Sequence, residues 1–264
     1  MLVYYTEFFK ANPWPALILG GIISIIVSLP LGAICFRLRG VYFAFATLAV
    51  SEIVRLIVAN TEFTHGGLGV LIPVAPSIQL GNFVIDFRDK LVFYYISLFL
   101  LLICFGATHL MVKLRIGFKL LIIREDEDAA ISIGVNSFKL KIFAMMMSSF
   151  FAGVVGALYA QYISYIDPSH QPGGVLATAT GLDIIIVTML GGAGTIMGPL
   201  IGSLIRYPLR EFLRVTFGFS AGLDLLTFGV VLILVIIIFP GGMEIYFREN
   251  FKDGKIHCCL RLTA

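Results

Sequence analysis

The chain has little charge for its length. Of its 264 residues only 13% are Asp, Glu, Lys or Arg, whereas 59% are hydrophobic, and the mean hydropathy is +0.98. A soluble domain needs more polar side chains at its surface, so the composition predicts a polytopic membrane protein built as an all-α transmembrane helical bundle. The net charge is only +3 and the basic residues are scattered, which argues against nucleic-acid binding.

The sequence also lacks the patterns of a catalytic or metal site. Cys35 and Cys104 lie in separate apolar runs, Cys258 and Cys259 are adjacent in the tail, and the four histidines lie in four regions, a pattern without the spacing of a metal site. No nucleophile elbow and no GxxxxGK[ST] phosphate loop are present. We therefore expect no catalytic residues, no metal and no cofactor, and a protein that is not an enzyme.

Long apolar runs predict where the chain crosses the membrane, since a spanning helix needs roughly 20 mainly apolar residues. All of the spans are assigned to one transmembrane domain, residues 1–264. Clear spans are predicted at about residues 16–36, 41–59, 92–112, 140–163 and 223–239, and a broken one at 182–214. The broken region contains Gly191, Gly192 and Gly194, so we expect a discontinuous helix there, either kinked or divided into two short pieces.

The basic residues orient these spans, because cytoplasmic loops carry an excess of Lys and Arg. Residues 113–141 include six basic residues and residues 164–183 include none, which places the first segment in the cytoplasm and the second outside. The broken region is then best interpreted as re-entrant from the outer side. In that arrangement twelve basic residues lie inside and six outside, with Arg55 in a span.

The glycines of the apolar regions have two interpretations. Irregular backbone at membrane depth persists only where protein or water satisfies its polar groups. Gly191, Gly192 and Gly194 therefore mark either a packed interior or the wall of a solute pathway. Small residues at helical spacing also let a neighbouring helix approach closely. The expected helix-packing positions are Gly153, Gly156, Gly198 and Gly202.

Charged residues inside the spans are candidate pathway residues, because charge is costly in lipid. Glu52 and Arg55 lie three residues apart, so we expect an internal ion pair that orients the helix in preference to substrate contact. Asp183 is expected to open a half-helix and to cap its free N–H groups. A pathway role for Asp183 is the alternative, because a helix N-terminus attracts a solute carboxylate.

A charged segment, residues 113–139, separates the third and fourth predicted spans. Arg124–Asp128 form a charged block, and Gly134 can adopt the left-handed conformation that ends helices. The pattern predicts a helix that ends at Gly134, a turn, and a second helix that begins near Ser137. Such a cytoplasmic hairpin is either a docking element for a soluble partner or a solvated helix at the membrane surface.

Four ordered segments resemble one transporter family. Asp128-Ala129-Ala130, followed by three residues and Gly134, resembles the EAA coupling motif of ATP-binding cassette importer permeases, with Asp in the usual place of Glu. Residues 123–135 are similar to the coupling loop of the branched-chain amino acid permease family, in its M-type subunit. The other similar blocks are residues 37–55, 150–159 and 190–199.

The resemblance implies a multi-pass permease in the lipid of the plasma (inner) membrane. Its partners would be a second permease subunit, two cytoplasmic ATPases that bind the ATP, and an extracytoplasmic solute-binding protein. The residues implied to couple the permease to the ATPases are Arg124, Glu125, Asp126, Glu127, Asp128, Ala129, Ala130 and Gly134.

The expected solute is a branched-chain amino acid, and several alternatives stay open. These are an importer permease for urea, amides or sugars, a lone secondary transporter or channel, and an inactive fragment. The Gly-rich block and additional spans with which the family usually begins are absent from this sequence. Together with the predicted outside position of the N-terminus, this absence leads us to expect an N-terminally shortened chain.

Overall fold

Helices make up most of the described structure. The computed structural model describes residues 14–38, 40–61, 70–71, 78–80, 83–85, 90–166, 178–192, 194–217 and 229. The chain divides into two compact units, Met1–Thr178 and Ala179–Ala264, and each is described by itself. The expected single domain stays a prediction.

The first unit contains six described helices and four short strands. The helices are α1 (Trp14–Cys35), α2 (Val41–Asn60), α3 (Lys90–Lys113), α4 (Arg115–Glu125), α5 (Glu127–Ser132) and α6 (Ser137–Ile163). The strands are β1 (Val70–Leu71), β2 (Ile78–Leu80), β3 (Phe83–Ile85) and β4 (Tyr165–Ile166). Helix α7 (Thr178–Gly191) leads into the second unit, which also contains α8 (Gly198–Phe217).

Four of these helices are long and apolar enough to cross a membrane. They are Leu17–Cys35, Tyr42–Asn60, Lys90–Lys113 and Ser137–Ile163, and they coincide with the first four clear spans predicted from the sequence. The prediction of a mainly helical membrane protein is thereby confirmed. Apart from Gly229, the predicted span 223–239 lies outside the described residues.

The strands were not predicted, because each is only two or three residues long. β2 and β3 form an antiparallel hairpin in which Gln79 pairs with Val84. β1 pairs with β4 in antiparallel register, Val70 opposite Ile166. This second pairing joins the segment that follows α2 to the end of α6.

In the first unit, α1 packs closely against α6. A Cβ atom added to Gly153 would lie 2.8 Å from the carbonyl oxygen of Gly20, and one added to Gly20 would lie 3.4 Å from the Cβ of Ala157. Glycine at these positions therefore allows the backbones to approach each other. Further along, Gly32 faces Met145, so the two helices run antiparallel.

Gly156 does not share this contact. Within the described residues, a Cβ added to Gly156 would meet no atom within 4 Å. The expected packing positions Gly153 and Gly156 therefore differ, because the second points away from α1.

Candidate functional site

The charged segment between α3 and α6 is divided at Asp126. We expected one helix up to Gly134, but Asp126 has an extended backbone with φ −150° and ψ 114°. Its carboxylate accepts hydrogen bonds from the backbone N–H groups of Asp128 at 2.9 Å and Ala129 at 3.0 Å. Asp side chains compete with helical hydrogen bonds in this way. The expectation of a continuous helix was wrong because Asp126 ends α4 and caps α5.

The C-terminal end of α5 is fixed by Gly134. This residue has φ +81°, in the left-handed region where glycine is the preferred residue. The N–H of Val135 donates to the carbonyl of Ala130 at 3.0 Å, and that of Gly134 donates to the carbonyl of Ile131 at 2.9 Å. These two bonds form a Schellman motif. The turn at Gly134 therefore has the conformation expected from the sequence.

The side chain of Asn136 then starts α6. It accepts a hydrogen bond from the backbone N–H of Lys139 at 3.1 Å, an N-cap that satisfies one free donor of the helix. Consequently α5 is followed by a defined turn that leads directly into a candidate membrane span.

The residues implied to couple the permease to the ATPases are not all exposed. The charged block Arg124–Asp126, together with Asp128 and Ala129, is exposed, whereas Glu127 is partly buried. Ala130 has 0% of its surface exposed, so it packs inside the segment and does not offer an apolar face to a partner. Ile131 and Ile133 are exposed instead. Ile131 lies in α5 and Ile133 directly after it, and apolar residues so close to acidic ones were the signal that could have identified them.

An ion pair ties α5 to α6. The Nζ atom of Lys141 lies 2.6 Å from Oε1 of Glu127, and the two side chains are 27% and 26% exposed. The pair crosses the turn at Gly134, so sequence spacing did not suggest it. The ion pair between Arg124 and Glu125, at 3.1 Å, is far more exposed and contributes little to stability.

The glycine-rich break joins α7 and α8 through backbone contacts. A Cβ added to Gly191 would collide with the carbonyl oxygen of Gly198, and one added to Gly202 would collide with that of Val187. A Cβ at Gly198 would likewise collide with the carbonyl oxygen of Gly192. Gly191 contacts Gly198, and Val187, earlier in α7, contacts Gly202, later in α8. The two helices therefore run antiparallel.

The turn between α7 and α8 needs two other glycines. Gly192 has φ +125° and Gly194 has φ +85°, conformations that are costly for residues with a side chain. The hydroxyl of Thr195 donates to the carbonyl of Gly192 at 2.8 Å and accepts from the N–H of Gly198 at 3.1 Å. The break expected at these glycines is therefore a hydrogen-bonded turn.

A buried ion pair connects α7 and α8 beyond the glycine contacts. Nε and Nη2 of Arg206 lie 3.3 Å and 3.2 Å from Oδ1 of Asp183, and Arg206 is only 4% exposed. The expectation that Asp183 opens the helix and caps it was wrong, because α7 begins at Thr178. Arg206 was not among the predicted site residues.

Glu52 and Arg55 form the ion pair expected within α2. Nε of Arg55 lies 3.0 Å from Oε1 and 3.1 Å from Oε2 of Glu52. The carboxylate of Glu52 is therefore engaged by its own helix neighbour, and a pathway role for Glu52 stays a prediction. Among the described residues, no three His, Cys, Asp or Glu side chains are grouped to hold a metal ion.

Four apolar helices of spanning length, with a structured charged segment between two of them, define a multi-pass helical membrane protein. Residues 1–237 match the family described as "Branched-chain amino acid transport system / permease component". The chain belongs to that family.

Individual relatives agree with this assignment. The chain is 27% identical to the high-affinity branched-chain amino acid transport system permease protein LivM of Salmonella typhimurium, over 90% of this chain and 59% of that protein. It is 26% identical to the probable branched-chain amino acid transport permease protein LivM of Methanocaldococcus jannaschii, over 86% of this chain and 66% of that protein. Over a shorter region, it is 25% identical to the autoinducer 2 import system permease protein LsrC of Yersinia pestis, covering 59% of this chain and 44% of that protein.

The chain thus spans 59% of the length of the Salmonella relative. No solved structure matches the chain significantly. The family and the relatives are described as transport permease components or proteins.

Proposed function

We propose that the chain is a transmembrane permease subunit of an ATP-binding cassette importer in the plasma (inner) membrane. Its solute would be a branched-chain amino acid or a related small molecule, moved inward. Family membership supports the transport function, and the names of the LivM relatives support the solute. The proposed partners are two ATPase subunits that bind the ATP, a second permease subunit and an extracytoplasmic solute-binding protein.

The observation that best supports coupling to an ATPase is the construction of α5. Asp126 caps its first turn, Gly134 ends it in a Schellman motif, and Glu127 pairs with Lys141 of α6. A short helix that is fixed at both ends and tied to a membrane span can transmit a displacement. The exposed residues Arg124–Asp126, just before α5, offer the ATPase a polar contact surface, and Ile131 and Ile133 add exposed apolar contacts.

The proposed transport step begins when ATP brings the two ATPases together and displaces α5. The turn at Gly134 and the Glu127–Lys141 ion pair would pass this displacement to α6. Helix α6 packs against α1 through Gly153 and Gly20, so the two helices would move as one body. Rocking of rigid helix groups against each other opens a pathway alternately to each side.

Gly134→Val tests this function. Valine at φ +81° is strained by about 1–2 kcal/mol, which should displace α5 while the apolar spans are unchanged. We expect a normal amount of the variant in the membrane but much less ATPase in its affinity-purified complex. Normal ATPase recovery together with normal uptake of leucine would refute the coupling function.

Gly134→Asn is the matched control. Asn tolerates the left-handed conformation better than other residues with a side chain, so this variant should retain most of the ATPase. If Asn and Val reduced recovery equally, the effect would come from the added side chain and not from the conformation of the turn.

A further inference from the structure

We propose that the start of α4 is a binding surface for anionic phospholipid at the end of the candidate membrane span α3. In this surface Lys113, Arg115 and Lys119 bind the phosphate groups, while Leu114 and Phe118 contact the outer part of the acyl layer. The inference goes beyond the proposed transport function and does not rest on it.

The position of this surface at the membrane follows from the connection between the two helices. The candidate span ends at Lys113, and α4 begins two residues later. Between them Leu114 has an extended backbone, with φ −74° and ψ 162°. A Cβ added to Gly117 would collide with the carbonyl oxygens of Met111 and Val112. The first turns of α4 therefore pack against the last turn of α3, at the level where a span leaves the lipid.

The start of α4 has an open face that is both apolar and basic. Ile123 is buried, whereas Leu114 is 51% exposed and Phe118 is 61% exposed. Arg115 and Lys119 are exposed as well, and they share a helix face because they lie four residues apart. Phe118 follows Leu114 by four residues and Arg115 by three. Exposed basic and apolar side chains on one short helix are typical of a helix that lies in the membrane interface.

The charges of the charged segment are separated along α4. Among the described residues, no ion pair involves Lys113, Arg115 or Lys119. The acidic residues of the segment, Glu125–Asp128, begin ten residues after Arg115, a helical rise of about 15 Å. The basic group thus lies at the end of the span and the acidic group at the opposite end of α4. Anionic lipid headgroups supply the negative charge that complements such a juxtamembrane basic group.

The alternative occupant of this face is the acidic surface of a protein partner such as the ATPase. Two features favour lipid. The basic residues begin in the last turn of a span, where Lys and Arg reach the phosphate groups of the bilayer. Phe118 is exposed beside them, and a phospholipid offers both a phosphate for the basic side chains and an acyl chain for this ring.

The test uses the full chain purified with its bound partners in mild detergent. Bound lipid is counted by native mass spectrometry during titration with dioleoyl-phosphatidylglycerol, and dioleoyl-phosphatidylcholine is the probe without net charge. Each basic residue near an anionic surface contributes roughly fivefold in affinity. A variant that combines Lys113→Gln, Arg115→Gln and Lys119→Gln should therefore lose at least one tightly bound phosphatidylglycerol molecule, with unchanged binding of phosphatidylcholine and an unchanged Tm in detergent.

Arg115→Gln and Arg124→Gln are the matched single variants, because they remove the same exposed side chain from opposite ends of α4. We expect Arg115→Gln to weaken the binding of one phosphatidylglycerol molecule roughly fivefold and Arg124→Gln to leave it unchanged. Equal effects of the two variants, or no loss of lipid from the triple variant, would overturn the proposal. Release of the lipid by an equal concentration of glycerol 3-phosphate would also overturn it, because the site would then bind a free anion.

ATPase recovery is measured on the same samples. Loss of the ATPase from the triple variant with unchanged lipid binding would show that the face docks the ATPase, which overturns the lipid surface. If the wild type binds phosphatidylglycerol as expected but recovers no ATPase, the lipid surface is supported and the importer function fails.

Discussion

The charged segment, residues 113–139, and the α7–α8 pair both interrupt a helix, but they are built in opposite ways. At Asp126 a side chain makes the break, since its carboxylate caps α5. The neighbouring Arg124, Glu125 and Asp128 are exposed. Between α7 and α8 the backbone makes the break, through Gly192 and Gly194 at positive φ and through glycine contacts. The first construction leaves side chains accessible to a partner, whereas the second uses its surface to hold two helices together.

The ion pairs of the two regions differ in the same way. Glu127 and Lys141 are about one quarter exposed, and partly exposed pairs of this kind contribute roughly 0–1 kcal/mol. Arg206 is almost fully buried against Asp183, and removing one partner of a buried pair costs about 3–5 kcal/mol. Substitutions in the α7–α8 pair should therefore lower the amount of folded protein, while those in the charged segment should mainly lower the proposed coupling to the ATPase.

The largest effect is expected from Gly202→Val. Its side chain would collide with the carbonyl oxygen of Val187, and neither backbone can move without disturbing the glycine turn. We expect the amount of the chain in the membrane to fall several-fold, as measured by quantitative immunoblotting. Gly181→Val is the control in α7, because a Cβ at Gly181 meets no described atom within 4 Å. Equal losses for both variants would contradict the assigned contact.

A smaller loss is expected from Gly153→Leu in α6. The new side chain would collide with Ser24 and with the backbone of Gly20, but α1 and α6 are long helices that can separate slightly. Gly156→Leu, three residues further on, should be tolerated because a Cβ at Gly156 meets no described atom within 4 Å. The measurement is the Tm of each purified variant. A lower Tm for Gly156→Leu than for Gly153→Leu would show that the contact is wrongly assigned.

The smallest effect on stability is expected from Lys141→Met, which removes the ion pair with Glu127. Membrane level and ATPase recovery should stay near those of the wild type, with a stability change of about 0.5 kcal/mol. The number of leucine molecules transported per ATP hydrolysed should nevertheless fall, because α5 would be less firmly tied to α6. Lys139→Met removes the same charge from an exposed position and should not change that ratio. An unchanged ratio for Lys141→Met would exclude the ion pair from the coupling path.

The hydropathy pattern and the positions of the glycines predicted the parts of the structure that depend on local sequence. Four spans were located to within a few residues, because runs of about 20 apolar residues have no other stable location. The break near Gly192 was predicted as well. The end of α5 at Gly134 followed from the need for a left-handed residue. The break at Asp126 was missed, because an Asp inside a charged block looks like one more exposed helix residue until its side chain is seen to cap the next turn.

Contacts between distant residues were harder to predict. Pairing of Asp183 with Arg206 depends on the register of the α7–α8 pair, and that register depends on the turn after Gly191. Once Gly191 is set against Gly198 and Val187 against Gly202, one further helical turn brings Asp183 to Arg206. Two further features, the burial of Ala130 and the lack of a described contact at Gly156, depend on the rotation of each helix about its own axis. A weak amphipathic pattern does not define that rotation.

The central claim is that this chain acts as the permease subunit of an ATP-driven importer. Its most direct test is affinity purification of the tagged wild-type chain from its native membrane in mild detergent, with mass-spectrometric identification of every protein recovered. We predict recovery of an ATP-binding cassette ATPase together with a second permease subunit. Recovery of the chain alone would contradict the claim.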